Sequence, residues 1–125
     1  MTSWLLIPDY GGAYEASERG QIRSLARTVD WGRHGRTKYQ QRELKQFRSK
    51  NGYLCVKLSL RSASRTEYVH ELVLRTFLGA RPAIQERSEI RHLDGDKSNN
   101  YLSNLLYGTS RENSLDYQKH RRVMK

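Results

Sequence analysis

Residues 53–60 set polar and apolar positions in alternation: Leu54, Val56, Leu58 and Leu60 fall on one side of an extended backbone and Cys55 on the other. A two-residue period marks a strand that buries one face. The turn-forming stretch RSAS follows, then a second extended run, RTEYVH at 65–70, so the two strands are expected to fold back as a hairpin. At Val69 the period lengthens. Val69, Leu72, Val73 and Phe77 stand at i, i+3, i+4 and i+8, one face of a helix. Gly79 is suited to close that helix, and Pro82 blocks its continuation.

On either side of this unit the pattern is weaker. Towards the N-terminus, Gly11, Gly12 and Gly20 punctuate short alternating segments, Tyr14 with Ala16 and Ile22 with Leu25, which read as brief strands and turns. Residues 30–42, DWGRHGRTKYQQR, have no apolar period and read as a basic loop or linker. Towards the C-terminus, EIRH (89–92) reads as a short strand. LDGDKSNN reads as a turn, because Asp and Asn side chains bond to nearby backbone N–H groups and Gly95 accepts a positive φ. YLSNLLYG allows a tight helical turn and a return strand. Thr109 and Glu112 have the spacing of a capping box, so a last helix is expected there, running to about residue 119. The fold class is α+β, with a small antiparallel β-rich module over 1–60 and a second unit over 61–125.

Charge narrows the function. Twenty-three Lys and Arg oppose 13 Asp and Glu, a formal net charge of +10, and a surface this basic attracts polyanions, nucleic acid first. A membrane partner is not expected, since no segment carries a broad apolar face and no apolar run approaches a bilayer span. Cys55 stands alone, which excludes an internal disulfide and a CxxC zinc knuckle and makes it a bystander thiol. The opening MTSWLLIPDY lacks a basic leader region, so no secretory signal and a reducing, cytoplasmic setting are expected.

The candidate chemistry lies in RHLDGDKSNNYLSNLLYGTSREN, 91–113. His92 sits on the expected strand and Asn113 in the first turn of the expected helix, and a hairpin packed on that helix would bring them together. An imidazole takes a proton from water near neutral pH, and a carboxamide oxygen ligates a hard divalent cation. The N-terminus of the last helix would add partial positive charge at the same spot. That combination suits a phosphodiester.

The same stretch resembles the core of the HNH endonucleases, in the phage and intron-homing branch, with VHELVLRTF at the place where VHRLV…F precedes the motif. The three motif letters fall on His92, Asn104 and Asn113, separated by 12 and 9 positions. The N-terminal WLLIPDYGGAYEASERGQIRSL is similar to the small DNA-binding module often fused before this core. The two resemblances cover about 4–60 and 68–118. They imply a ββα-metal core in which His92 is the general base and Asn113 a metal ligand. Asn104 would bond across the hairpin to hold His92's orientation. Asp94, Gly95, Asn99 and Asn100 would build the turn.

One position departs from the family pattern. Many relatives carry Asp, Asn or His just before the base, as a second metal ligand, where this chain has Arg91. A guanidinium cannot ligate a cation, so the ion would be held by Asn113, water and phosphate, with Asp94 or Asp96 as further donors. Arg91 would instead grip a phosphate oxygen. The implied cofactor is a divalent cation, Mg2+ with Mn2+ as the alternative. The implied partner is double-stranded DNA, nicked or cut, met by a monomer or weak dimer in the host-cell cytoplasm if phage-encoded. Arg23, Arg27, Arg33, Arg36 and Lys38, with Tyr14, Trp31 and Tyr39 interleaved, are the expected DNA contacts. A catalytically silent, sequence-specific DNA-binding protein on the same scaffold is the alternative. An RNA-binding module is disfavoured because its aromatic sheet signature is missing.

Overall fold

The computed structural model describes residues 2–60, 63–79, 88–109 and 115. Near the N-terminus β1 (Trp4–Leu6), β2 (Tyr14–Ser17), β3 (Ile22–Ser24) and, further on, β6 (Arg42–Glu43) make an antiparallel sheet in the order β1-β2-β3-β6. Tyr14 and Ala16 point into the core as their alternation predicts, and Ser17 is buried beside them. Between β3 and β6 the chain leaves that sheet as a separate hairpin, β4 (Arg27–Asp30) with β5 (Arg36–Tyr39).

That hairpin corrects the reading of 30–42 as loop. Its register is regular, from Arg27 opposite Tyr39 to Asp30 opposite Arg36. Neither strand buries a face, so no two-residue apolar period could announce it. What holds it is local. Asp30 Oδ1 accepts from the Gly32 backbone at 2.8 Å, Trp31 Nε1 donates to Thr37 Oγ1 at 2.9 Å, and the Gly35 carbonyl accepts from Trp31 N at 2.7 Å.

A second antiparallel sheet runs β7 (Phe47–Arg48), β8 (Leu54–Leu60) and β9 (Ala63–Tyr68). The expected β8–β9 hairpin is present, pairing Cys55 with Tyr68 through to Leu60 with Ala63, but its second strand starts earlier and ends sooner than expected. Ala63 and Ser64 of the expected turn are paired in it, and Val69 and His70 belong to the helix that follows. Val56 and Leu58 are buried, but so is Cys55 on the opposite face, because the sheet is covered on both sides near its start. Burial pushes the Cys55 thiol above its ordinary range, which leaves it inert at neutral pH.

β9 passes directly into α1 (Val69–Leu78). Val69, Leu72 and Val73 are fully buried and Phe77 packs at the margin, as their spacing predicts; Leu74 widens the face. Gly79 ends the helix at φ 89°, its N–H reaching Arg75 O at 3.1 Å. β10 (Ser88–His92) and β11 (Leu105–Thr109) then form an antiparallel hairpin. One continuous core joins Ile7, Tyr14 and Ile22 of the first sheet to Val56, Leu58, α1, Ile90 and Leu105. Polar bonds close its edges. Tyr14 Oη accepts from Ser59 N at 2.9 Å, and the Glu67 carboxylate takes Tyr10 Oη at 2.9 Å and Arg75 at 3.3 Å. Burial, with that carboxylate beside it, raises the Tyr10 hydroxyl above its ordinary value. Among the described residues no helix is long and apolar enough to cross a membrane.

Candidate functional site

His92 is the last residue of β10, paired opposite Leu105. Strand alternation turns Ile90 and His92 inward, each 7% exposed, and Arg91 to the other side. The Arg91 stem lies so close over Gly108 of β11 that a Cβ there would run into it. After His92 the chain enters the polar loop. Gly95 N bonds back to His92 O at 2.9 Å and Leu93 N to Asn104 O at 2.9 Å.

Asn104, 8% exposed, spans this loop with its whole side chain. Its Oδ1 accepts from Asp94 N at 3.0 Å, and its Nδ2 donates to Asp94 Oδ1 and to Asn99 O, both at 2.9 Å. Asp94 is held further by Asn99 Nδ2 at 2.7 Å and Asp96 N at 2.8 Å. Burial would raise the Asp94 carboxyl, but these donors and the nearby imidazole outweigh it and hold the carboxyl below its ordinary value. Asp96 is lowered likewise by the Ser98 backbone and hydroxyl bonds. The loop is thus a closed network around the end of β10.

Three neighbours of His92 were not singled out by its motif. Asn100, 3% exposed, puts Oδ1 2.9 Å from His92 Nε2. His70, in the first turn of α1, stands edge-on with ring centroids 5.2 Å apart. Tyr53, just before β8, lies 5.8 Å from His92 and 5.0 Å from His70. Burial, then the Glu89 charge, raises the Tyr53 hydroxyl above its ordinary range. His70 carried a signal, its place in VHELV. For Tyr53 the sequence holds none, because only tertiary packing brings it here.

A divalent cation fits the described residues only in part. Among them no three His, Cys, Asp or Glu side chains converge as a metal site. Asp94 already spends three of its roughly four lone-pair positions on the loop. Asn113 and the helix expected to carry it, apart from the helical Leu115, lie outside the described residues.

The cationic side chains expected on DNA divide in two. Arg23 is committed to the fold: it pairs with Glu15 at 2.6 Å and lies 3.9 Å over the Trp4 ring. Arg27, Arg33, Arg36 and Lys38 all belong to the β4–β5 hairpin, Arg27 lying between the Tyr14 and Tyr39 rings at 5.6 and 5.7 Å. Arg36 meets Asp30 at 3.6 Å, an exposed pair worth little. The hairpin borders an open groove with Trp31, Lys38, Tyr39, Arg42 and Lys57 on its walls.

A β-hairpin ending in a buried histidine and cross-braced by an asparagine, behind an antiparallel β module, defines a class. Residues 67–115 match the HNH endonuclease family model and residues 3–59 the NUMOD4 motif. The chain belongs to the HNH endonuclease family and carries an N-terminal NUMOD4 module. An uncharacterized HNH endonuclease of Acanthamoeba polyphaga mimivirus is 32% identical over 114 residues, covering 91% of this chain and 29% of that protein. The solved HNH homing endonuclease I-HmuI, described for its DNA binding and cleavage, matches 94% of this chain at 27% identity and a TM-score of 0.70. The chain spans 58% of that structure's length and under a third of the viral relative's.

Proposed function

We propose that the protein is a divalent-cation-dependent endonuclease of phage or homing type, hydrolysing phosphodiester bonds of double-stranded DNA by nicking or cutting. One observation carries the reading: a buried imidazole, His92, stands at the mouth of a hydrogen-bonded loop, within the segment that matches the HNH endonuclease family. His92 acts as the general base that takes a proton from the attacking water. Asn104 keeps the loop and His92 in one geometry, so the base is already oriented when the phosphate arrives. Arg91, on the outer face of β10, contacts a phosphate oxygen. Asn113 is the proposed ligand for Mg2+ or Mn2+, with Asp94 able to add its remaining acceptor position. The ion, when bound, stabilises negative charge on the phosphate. The β4–β5 hairpin lies along the duplex and supplies Arg27, Arg33, Arg36 and Lys38 to it.

Relaxation of supercoiled plasmid tests the assignment. With Mg2+ or Mn2+ the protein converts it to nicked or linear form, and His92→Ala slows this by roughly 10²-fold or more. Equal rates for variant and parent would remove His92 from the role of base.

The commitment of Asp94 to its turn, with Arg91 beside His92, favours one second reading: a silent DNA-binding protein on the same scaffold. Calorimetry with DNA present separates the two. Uptake of Mg2+ or Mn2+ supports the nuclease, and none supports the binder.

A further inference from the structure

The residue that touches the His92 ring is itself clamped from the far end of the chain. Asn100 O and Cβ lie where a Cβ on Gly20 would come within 2.8 and 2.9 Å, so only glycine lets the two backbones meet. Gly20 has φ +82°, a second reason for that residue. Its turn is rigid. Buried Ser17 accepts through Oγ from Arg19 N at 3.2 Å and Gln21 N at 3.1 Å, and Gln46 Nε2 donates to Gly20 O at 2.9 Å. Beyond Asn100, Leu102 N donates to Glu18 O at 2.7 Å. Before it, Lys97 reaches Asn51 O at 2.9 Å and Arg48 reaches Ser98 Oγ at 3.2 Å. The loop after His92 is therefore pinned along its length by the N-terminal module.

An amide oxygen only accepts, so a His92 Nε2 bonded to Asn100 Oδ1 carries the proton. The Nδ1 lone pair is then the one left for water. Asn100 Nδ2 is buried without a partner, a desolvation cost that an apolar side chain at this place would avoid. An amide kept at that cost is explained by what its oxygen does.

We propose that Asn100, backed by Gly20, is a positioning residue that holds His92 with its proton on Nε2 and its basic lone pair on Nδ1, which makes the N-terminal module part of the machinery that orients the base. This deepens the nuclease reading and rests on it for its consequence in turnover, though the tautomer stands or falls by itself. The groups around the ring are Asn100 and Asp94 from its own loop, His70 from α1 and Tyr53 from the segment before β8.

Long-range 1H–15N NMR of the labelled full chain reads the tautomer of the neutral ring directly. The His92 signals are identified by their loss in His92→Gln. The expected result is Nε2–H in the parent and in Asn100→Asp, which keeps an acceptor, and a mixture of tautomers in Asn100→Ala. Gly20→Ala, eighty positions away in sequence, should mix the tautomers too. It should also lower plasmid turnover at least about tenfold while DNA affinity stays within about twofold, since a misoriented base costs rate and not binding. Backbone amide spectra establish that each variant is folded, and if Asn100→Ala is not, the parent and Gly20→Ala decide. An Nδ1–H parent, or a tautomer unmoved by the folded variants, overturns the proposal. A parent that cuts no DNA sinks the nuclease reading instead, and the tautomer still reports on Asn100.

Discussion

Asn104 shows how one amide can set the shape of a loop. Both its donors and its acceptor are used, across ten residues of chain, and it is buried. Asn104→Ala leaves Asp94 N and Asn99 O without their partner, so a loss of roughly 2–4 kcal/mol is expected, read as a lower denaturation midpoint at unchanged slope. Its neighbour Asp94 makes the same loop acid-sensitive. Its folded value lies below its unfolded one, so its contribution is complete above the ordinary carboxylate value of about 3.9 and fades as pH falls through the lower, folded value. Amide-exchange protection at Leu93–Asn104 should hold from neutral pH down to about 4 and fall below it, and Asp94→Asn should flatten that dependence. These side-chain bonds were only partly legible in the sequence. DGDKSNN announces a turn, but which amide meets which group depends on the path the turn takes.

The elements divide by what holds them. α1 is a core helix, and Leu72→Ala should cost about 2–5 kcal/mol because the cavity opens where the two sheets and the helix meet. The β4–β5 hairpin buries almost nothing and stands on its turn and cross-strand pairs. Trp31, 50% exposed near its turn, should lose under about 1 kcal/mol of stability on change to Ala. If the hairpin lies on DNA, the same change removes packing against the sugar-phosphate backbone and weakens duplex binding several-fold by a filter or fluorescence titration. Unchanged affinity would move the interface elsewhere. The helix and β8 were readable because burial writes its period into the sequence, whereas β9, exposed along most of its length, was read with its bounds displaced. The exposed hairpin was not, because nothing on it needs to be apolar.

For the whole molecule, an excess of ten positive charges predicts a strongly salt-dependent affinity. Should six to ten phosphates be neutralised, binding falls by roughly 10³–10⁵ between 50 and 200 mM salt. A slope near zero in log Kd against log salt would mean that the charges do not meet the backbone. Arg23, tied to Glu15 and Trp4, should contribute little to that slope. The N-terminal module and the HNH segment share one core, so a change in the buried Ile7, Tyr14 or Ile22 should loosen the loop after His92 as well as the module.

What the sequence determined by itself was local or compositional: strands and a helix where burial imposes a period, a turn where Asp, Asn and Gly cluster, and a large excess of positive charge. The motif marked His92 and Asn104 because their spacing within one hairpin is short enough to read. Tertiary structure alone decided that Tyr53 faces His92 and that Gly20 backs Asn100. Such contacts join positions far apart in the chain, and they exist only once a shared core has folded the chain back on itself, so no local pattern can carry them.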